Sequence, residues 1–558
     1  MRKLAPIPSA SPLARARLIA VLIATVLLAV TTVACGPSEG GASGGGAAPA
    51  PKQGGVYNYP LTTGPGPFGP TSPLTSDSWA VLHQVYEGLV RWEAQPDGSM
   101  KTVPCLAESW SGNADATAWT FKLRRGVVFQ PPVSRELVAA DVVATIRYLS
   151  DPAHTTEMAF MYAPIEGTDE NGVAAGDSLG VRAVDRYTVR FELKYPYSEF
   201  PDTLANPAFS VWPVDHLRSV GVKAYARRPA GTGPYMFQRE VVGPSIDLVR
   251  NPDWWDTSGG PYIDTIHYAV FGSVTSMMLA FQKGIVDWTL VPVGQVAASR
   301  SLPQVVSGSW HVQVVPNLGM RYLCANMMDP VVGGEQGLRL RQALAYACDR
   351  QAISDASSGG VFLPATTGVV PPGVPGARGV QDPYAYDPVK ARELVEGVSP
   401  GTLRLAYPLG QQQEATVRSL EASFADLGIT VQTKGIEMKR YIRYVLVGKA
   451  QLYLAGWLAD FPSMDSFLYP LFESGSSPYA HGTRYADPEV DALLAQARAT
   501  PEEEERLRRY AEAERLVLAD VPEIPLIVFA DARLVGGRVA NVRFDPMGWV
   551  DLWRAWVR

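Results

Sequence analysis

One Gly/Ala/Pro-rich tether, GPSEGGASGGGAAPAPKQGG (36–55), divides this sequence, and no second stretch like it follows. Such a segment cannot bury enough apolar surface to fold. Everything after it must therefore fold without an interdomain linker. The interior Pro/Gly-rich stretches, GPGPFGP (64–70) and VVPPGVPGARG (369–379), are short enough to be loops. A body of this length exceeds one compact core, so two or three domains, or two large lobes, must interlock. With 47% apolar and 19% charged residues the composition is globular. The 13 Trp and 24 Tyr suit either a large core or a groove lined with rings.

The tether follows an address segment. Arg15 and Arg17 precede the apolar run LIAVLIATVLLAVTTVA (18–34), and Cys35 comes next. Basic residues, an apolar stretch and a small residue before the break make residues 1–34 a secretory signal peptide. Thr32-Val33-Ala34-Cys35 resembles the bacterial lipobox, with Thr32 where Leu is usual. That resemblance implies cleavage before Cys35 and a lipid on its thiol, with residues 35–53 as lipidated Cys and flexible linker. The alternative is an uncleaved anchor helix, for which the run is short against a span of about 20 residues. Both place the folded part outside the cytoplasm. Residues 1–34 carry four basic side chains and no acid, so removing them takes the net charge from −6 to −10. No basic block remains, which argues against a nucleic-acid partner.

Short strands and capped helices alternate through the body. Residues 187–193 put Tyr187, Val189, Phe191 and Leu193 on one face; 119–123 and 524–529 are further strands. Asp387-Pro388 and Asp487-Pro488 open helices with Asp as cap and Pro in the first turn. Thr500-Pro501-Glu502-Glu503 reads as a capping box. It opens a helix with Leu507, Tyr510, Ala513 and Val517 inward and its charges solvated. Cys348 reads as a buried core thiol; Cys105, Cys324 and Cys348 leave one disulfide possible in an oxidising compartment.

Motifs for chemistry are lacking. No two of the six His lie within five residues of each other, so no zinc motif is formed. There is no P-loop and no nucleophile elbow, and GPGPFG (64–69) meets the dinucleotide pattern only literally. No cofactor or metal is implied. Asp460 and Asp465, in GWLADFPSMDSF (456–467), could form a carboxylate pair for glycoside hydrolysis, with Asp465 read more simply as a cap or turn residue.

From Gly54 onward a series of motifs runs in order: YEGLV (86–90), PCLAESW (104–110), WTFKLRRGVVF (119–129), VAADVVATI (138–146) and AVDRYTVRFEL (183–193). GTGPYMF (231–237), RNPDWWD (250–256), GGPYIDTI (259–266), AFQKGIVDW (280–288) and RYLCANM (321–327) follow. LRQALAYACDRQAI (340–353), YDPVKARELV (386–395), DLGITVQ (426–432), YADPEVDALL (485–494) and VPEIPLI (521–527) complete it. This series resembles the family 5 extracellular solute-binding proteins of ABC importers, the oligopeptide-, dipeptide- and nickel-binding group. Phe129-Gln130-Pro131-Pro132 departs from the family's usual Phe-His-Asp-Gly.

The resemblance implies an α/β fold: a two-lobed clamshell of the class II periplasmic-binding type, with mixed sheets flanked by helices and an extra inserted domain. Residues 54–85, 206–318 and 527–558 would form lobe 1, 86–205 the inserted domain and 319–526 lobe 2, with two strands crossing as a hinge. Solute would bind between the lobes and close them. The implied activity is capture of a peptide and delivery to an ABC permease with cytoplasmic ATPases. The protein would be a monomer held on the outer face of the bacterial cytoplasmic membrane by its lipid.

The same resemblance puts the backbone of Gly456 and Leu458 against an extended peptide, the Asp460 carboxylate on its α-amino group, and Trp457 and Phe461 around the pocket. An ammonium with three donors matches a carboxylate acceptor. Arg404, Arg440 and Arg443 are candidates for the peptide carboxylate. The alternatives are an oligosaccharide, a nickel chelate or another peptide-like cargo, a secreted glycoside hydrolase, and a signalling or chaperone role for the same clamshell.

Overall fold

Strand alternation sets the first sheet. Residues 187–193 form the strand Thr188–Glu192, whose Val189 and Phe191 point into the core. It pairs antiparallel with Ala118–Leu123 and Val181–Asp185, and Ala107–Gly112 adds the fourth strand. This computed structural model describes residues 50–558 except 65, 67, 72–74, 96–97, 155, 157, 177, 239–244 and 477–479. Residues 1–49, with the expected signal peptide, Cys35 and most of the tether, lie outside the described residues. Residues Pro51–Arg558 form one compact unit.

A second four-stranded sheet draws on distant segments. Val56–Leu61 pairs parallel with Thr265–Val270, which continues antiparallel to Ser245–Arg250 and then Tyr235–Phe237. The third sheet orders Trp288–Leu290, Glu523–Gly536, Trp310–Ala325, Leu452–Leu458, Leu403–Pro408 and Val431–Ile436, with Leu363–Pro364 beside Glu523–Gly536. Its two long strands, of 16 and 14 residues, pair antiparallel from Trp310 opposite Gly536 to Cys324 opposite Glu523. Their register breaks between Pro316 and Met320 and again at Arg321/Tyr322, where Pro525 cannot donate to the ladder.

Both Asp-Pro caps form. Asp387 accepts from the amides of Val389 and Lys390, and Asp487 from those of Glu489 and Val490. The capping box at Thr500 does not form. The last long helix, Glu503–Asp520, starts without a side-chain cap, and the Thr500 hydroxyl instead donates 2.7 Å back to the Gln496 carbonyl. Thr500 thus closes the preceding helix, a local alternative open to hydroxyl side chains. Tyr510, Ala513 and Val517 are inward as expected, but the charged face is not all solvated. Glu514 is fully buried and accepts from the Val370 amide, and burial pushes its carboxyl up to about 8. Cys105, Cys324 and Cys348 are buried free thiols, so no disulfide joins them.

Candidate functional site

The strand Leu452–Leu458 is half paired. On one side it runs antiparallel to the long strand, from Ala325 opposite Leu452 to Gly319 opposite Leu458. On the other side Leu403–Pro408 meets it only at Leu452 and Tyr453. From Leu454 onward that second edge has no strand partner among the described residues.

Alternation decides which backbone groups face the open edge. In an extended strand the N–H and C=O of one residue point to the same side, and the next residue to the other. The Ala459 amide donates inward to Leu318, at 2.8 Å. The Leu454 carbonyl points outward, where it accepts from the Tyr441 hydroxyl. Gly456 and Leu458 share its parity, so their donors and acceptors face the open edge; the ring of His481 approaches the Gly456 carbonyl only at 3.4 Å. The edge closes at Asp460, whose amide donates to Ser466 Oγ at 2.9 Å and whose carbonyl accepts from Asn206 Nδ2 at 2.8 Å.

A cavity of about 370 Å³ lies along this edge, bordered by Gly456, Leu458, Arg321, Phe529, His481 and Met438 among others. Leu458 is 62% exposed and Met438 51%, an apolar wall open to solvent. Gly319 lets the two strands close under it, since a Cβ there would lie 2.4 Å from Leu458 Cδ2. A smaller cavity of about 90 Å³ surrounds Glu87 and Trp254 elsewhere. Glu87 there is already served by Thr232, Trp254 and Trp255.

The Asp460 carboxylate is half-buried and has no hydrogen-bond or ion-pair partner among the described residues. Burial alone lifts its pKa to about 6. Residues 101–479 match the bacterial extracellular solute-binding proteins, family 5, middle part. The chain belongs to this family. The glutathione-binding protein GsiB of Escherichia coli K12 is 29% identical over 471 residues, 81% of this chain and 84% of that protein. MppA, a periplasmic murein tripeptide binding protein in its unliganded open form, superposes with a TM-score of 0.78 at 23% identity, covering 91% of this chain and 98% of its own. The ABC transporter-associated DppA of Helicobacter pylori, in complex with peptide STSA, gives 0.71 at 22%, covering 91% and 98%.

The fold is therefore the two-lobed α/β binding-protein fold, and the chain is a solute-binding protein of this family rather than an enzyme. Asp465 fits that assignment. Its carboxylate is held by Arg498, Tyr197 and Tyr510, so it has no role left as an acid or base and is neither a plain cap nor a turn residue.

Of the family 5 residues expected at the site, Gly456 and Leu458 border the cavity along the open edge. Asp460 lies in the bend two residues past the end of that strand, and Trp457, within the strand, points to the face opposite Gly456 and Leu458. There the Trp457 ring meets His481 edge-on and its Nε1 donates to Ser466 O at 2.7 Å. Phe461 is buried among core residues. Arg404 is largely exposed, 3.7 Å from Asp329, beside a different cavity. Arg440 and Arg443 are on the exposed side of the helix Met438–Leu446. Arg321, the basic residue that does border the cavity along the open edge, was not among the candidates. Its signal was present: an arginine inside the otherwise apolar strand segment GMRYLCA (319–325).

Proposed function

We propose that this solute-binding protein captures short peptides in extended form and delivers them to an ABC permease with its ATPases. The carrying observation is the edge at Gly456 and Leu458, which has no strand partner among the described residues and ends beside an acid that likewise has no partner among them. An extended peptide can add to that edge as a further strand, so main-chain hydrogen bonds give affinity without reading side chains. Its α-amino group supplies the cation that Asp460 lacks. The relatives' names agree in cargo class: glutathione, a murein tripeptide and the peptide STSA.

Closure would use the two long strands as hinge between a lobe of 54–85, 206–318 and 527–558, carrying the insert 86–205, and a lobe of 319–526. Cys35 would carry the lipid that keeps a monomeric protein on the outer face of the membrane. Among the described residues no helix is long and apolar enough to cross a membrane. Thermal unfolding against peptides, oligosaccharides and nickel chelates tests the cargo class, because a ligand of the folded form raises the midpoint. Stabilisation by short peptides supports the reading; stabilisation by sugars or chelates alone overturns it.

A further inference from the structure

Arg321 is 5% exposed and sits in the strand directly opposite Gly456. Residues opposite each other in a ladder send their side chains to the same face, so Arg321 shares a face with Gly456 and Leu458, and Asp460 follows two residues beyond the end of their strand. Its guanidinium has five N–H donors. Among the described residues one polar side chain reaches it: Thr416 Oγ1, 3.2 Å from Nη1. The rings of Phe529 and Phe362 flank it at 5.4 and 5.9 Å, and it borders the cavity along the open edge.

The other buried arginines are served differently. Arg350 meets Asp382 and two backbone carbonyls besides Pro525 O at 2.8 Å. Arg341 is held by the carbonyls of Val332, Gly334 and Asp520. Arg533 pairs with Asp531 at 2.8 Å. Arg321 alone among these lacks both carboxylate and carbonyl acceptors among the described residues. Desolvation, with no anion to oppose it, pulls its pKa down to about 10. A buried cation without a counter-ion is costly unless an anion joins it. Ring contacts recover only part of that cost.

We propose that Arg321 receives a carboxylate of the bound solute, so that the site reads a zwitterion: ammonium at Asp460, carboxylate at Arg321. This rests on the peptide reading of the same cleft. Gly456 and Asp460 are four residues apart, so the span along the edge is at most about 14 Å. An extended peptide of roughly three or four residues covers that span, which makes its C-terminal carboxylate the group presented at Arg321. An acidic side chain of a longer peptide offers the same chemistry.

Calorimetric titration of Ala-Ala-Ala, its C-terminal amide and the amide of Ala-Ala-Glu, into the wild type and into Arg321→Met and Arg321→Lys, tests this. The wild type is expected to bind the free acid at least tenfold tighter than the Ala-Ala-Ala amide. Arg321→Met is expected to bind the two alike, and Arg321→Lys to retain part of the preference. Recovery of affinity by the Glu-bearing amide would place the carboxylate on a side chain and support the same role for Arg321. Equal binding of acid and amide by the wild type overturns the inference while leaving the peptide reading intact, and it needs no variant to fold. No binding by any of these peptides overturns the peptide reading and this inference together.

Discussion

Arg498 holds Asp465 with two parallel hydrogen bonds, Nε to Oδ1 at 2.7 Å and Nη2 to Oδ2 at 2.8 Å. The hydroxyls of Tyr197 and Tyr510 each add one at 3.0 Å. Glu199 joins the cluster through Tyr510 and Ser463, and burial together with the nearby Asp465 pushes it up to about 7. Five residues before Asp465, Asp460 has none of this. The same short segment thus contains one acid that is fully occupied and one that is open.

The occupied acid is structural. Asp465→Asn leaves the Arg498 guanidinium, largely buried, without its charge partner. Breaking a buried pair from one side costs roughly 3–5 kcal/mol. Urea denaturation should show a loss of that order for Asp465→Asn, with peptide affinity of the remaining folded protein little changed.

The open acid should behave oppositely. Its pKa rises from the ordinary carboxylate value to about 6 on folding. Between about pH 4 and 6 the folded state binds the extra proton, so the burial of Asp460 reduces stability as pH rises through that window and the full cost is present at pH 7. That cost is about 2–3 kcal/mol. Asp460→Asn should therefore raise the ligand-free unfolding midpoint at pH 7 and lose that advantage below about pH 4. A destabilised Asn variant at pH 7 would mean that Asp460 has an internal partner.

The open edge makes a separate prediction. Leu458→Pro removes an amide that points away from the ladder, a position where an edge strand tolerates proline. Peptide affinity should fall at least tenfold while stability changes by about 1 kcal/mol or less. Leu458→Ala, which keeps the amide, should cost much less affinity. Calorimetry on both variants distinguishes main-chain pairing from apolar contact.

Cys35→Ser should release the folded protein from membrane fractions after expression in a bacterium with lipoprotein processing. A single acyl chain binds only marginally, so retention depends on the full lipid. Retention of the Ser variant would point to the uncleaved helix instead.

Much of the frame was legible in the sequence because local rules set it. Alternation over 187–193 gave a strand, and Asp387 and Asp487 capped helices as their Asp-Pro pairs imply. Thr500 followed the capping-box pattern and yet turned backward, because the preceding helix ends within its reach. Glu514 looked like part of a solvated face, but other segments cover it. The partners of Asp465 lie at Arg498 and Tyr197, 33 and 268 residues away, beyond any local pattern. Arg321 escaped notice for the same reason: an arginine in a strand gains meaning only once its surroundings prove to hold no acid.

In the peptide-bound protein Asp460 is proposed to receive the free amino group of the extended peptide. Isothermal titration of a tripeptide and its N-acetyl form into the wild type at pH 7.5 tests it most directly. The free peptide should bind tightly and acetylation should cost at least a hundredfold, since the acetyl form leaves the half-buried Asp460 carboxylate unpaired. Equal affinity for the two peptides would contradict it.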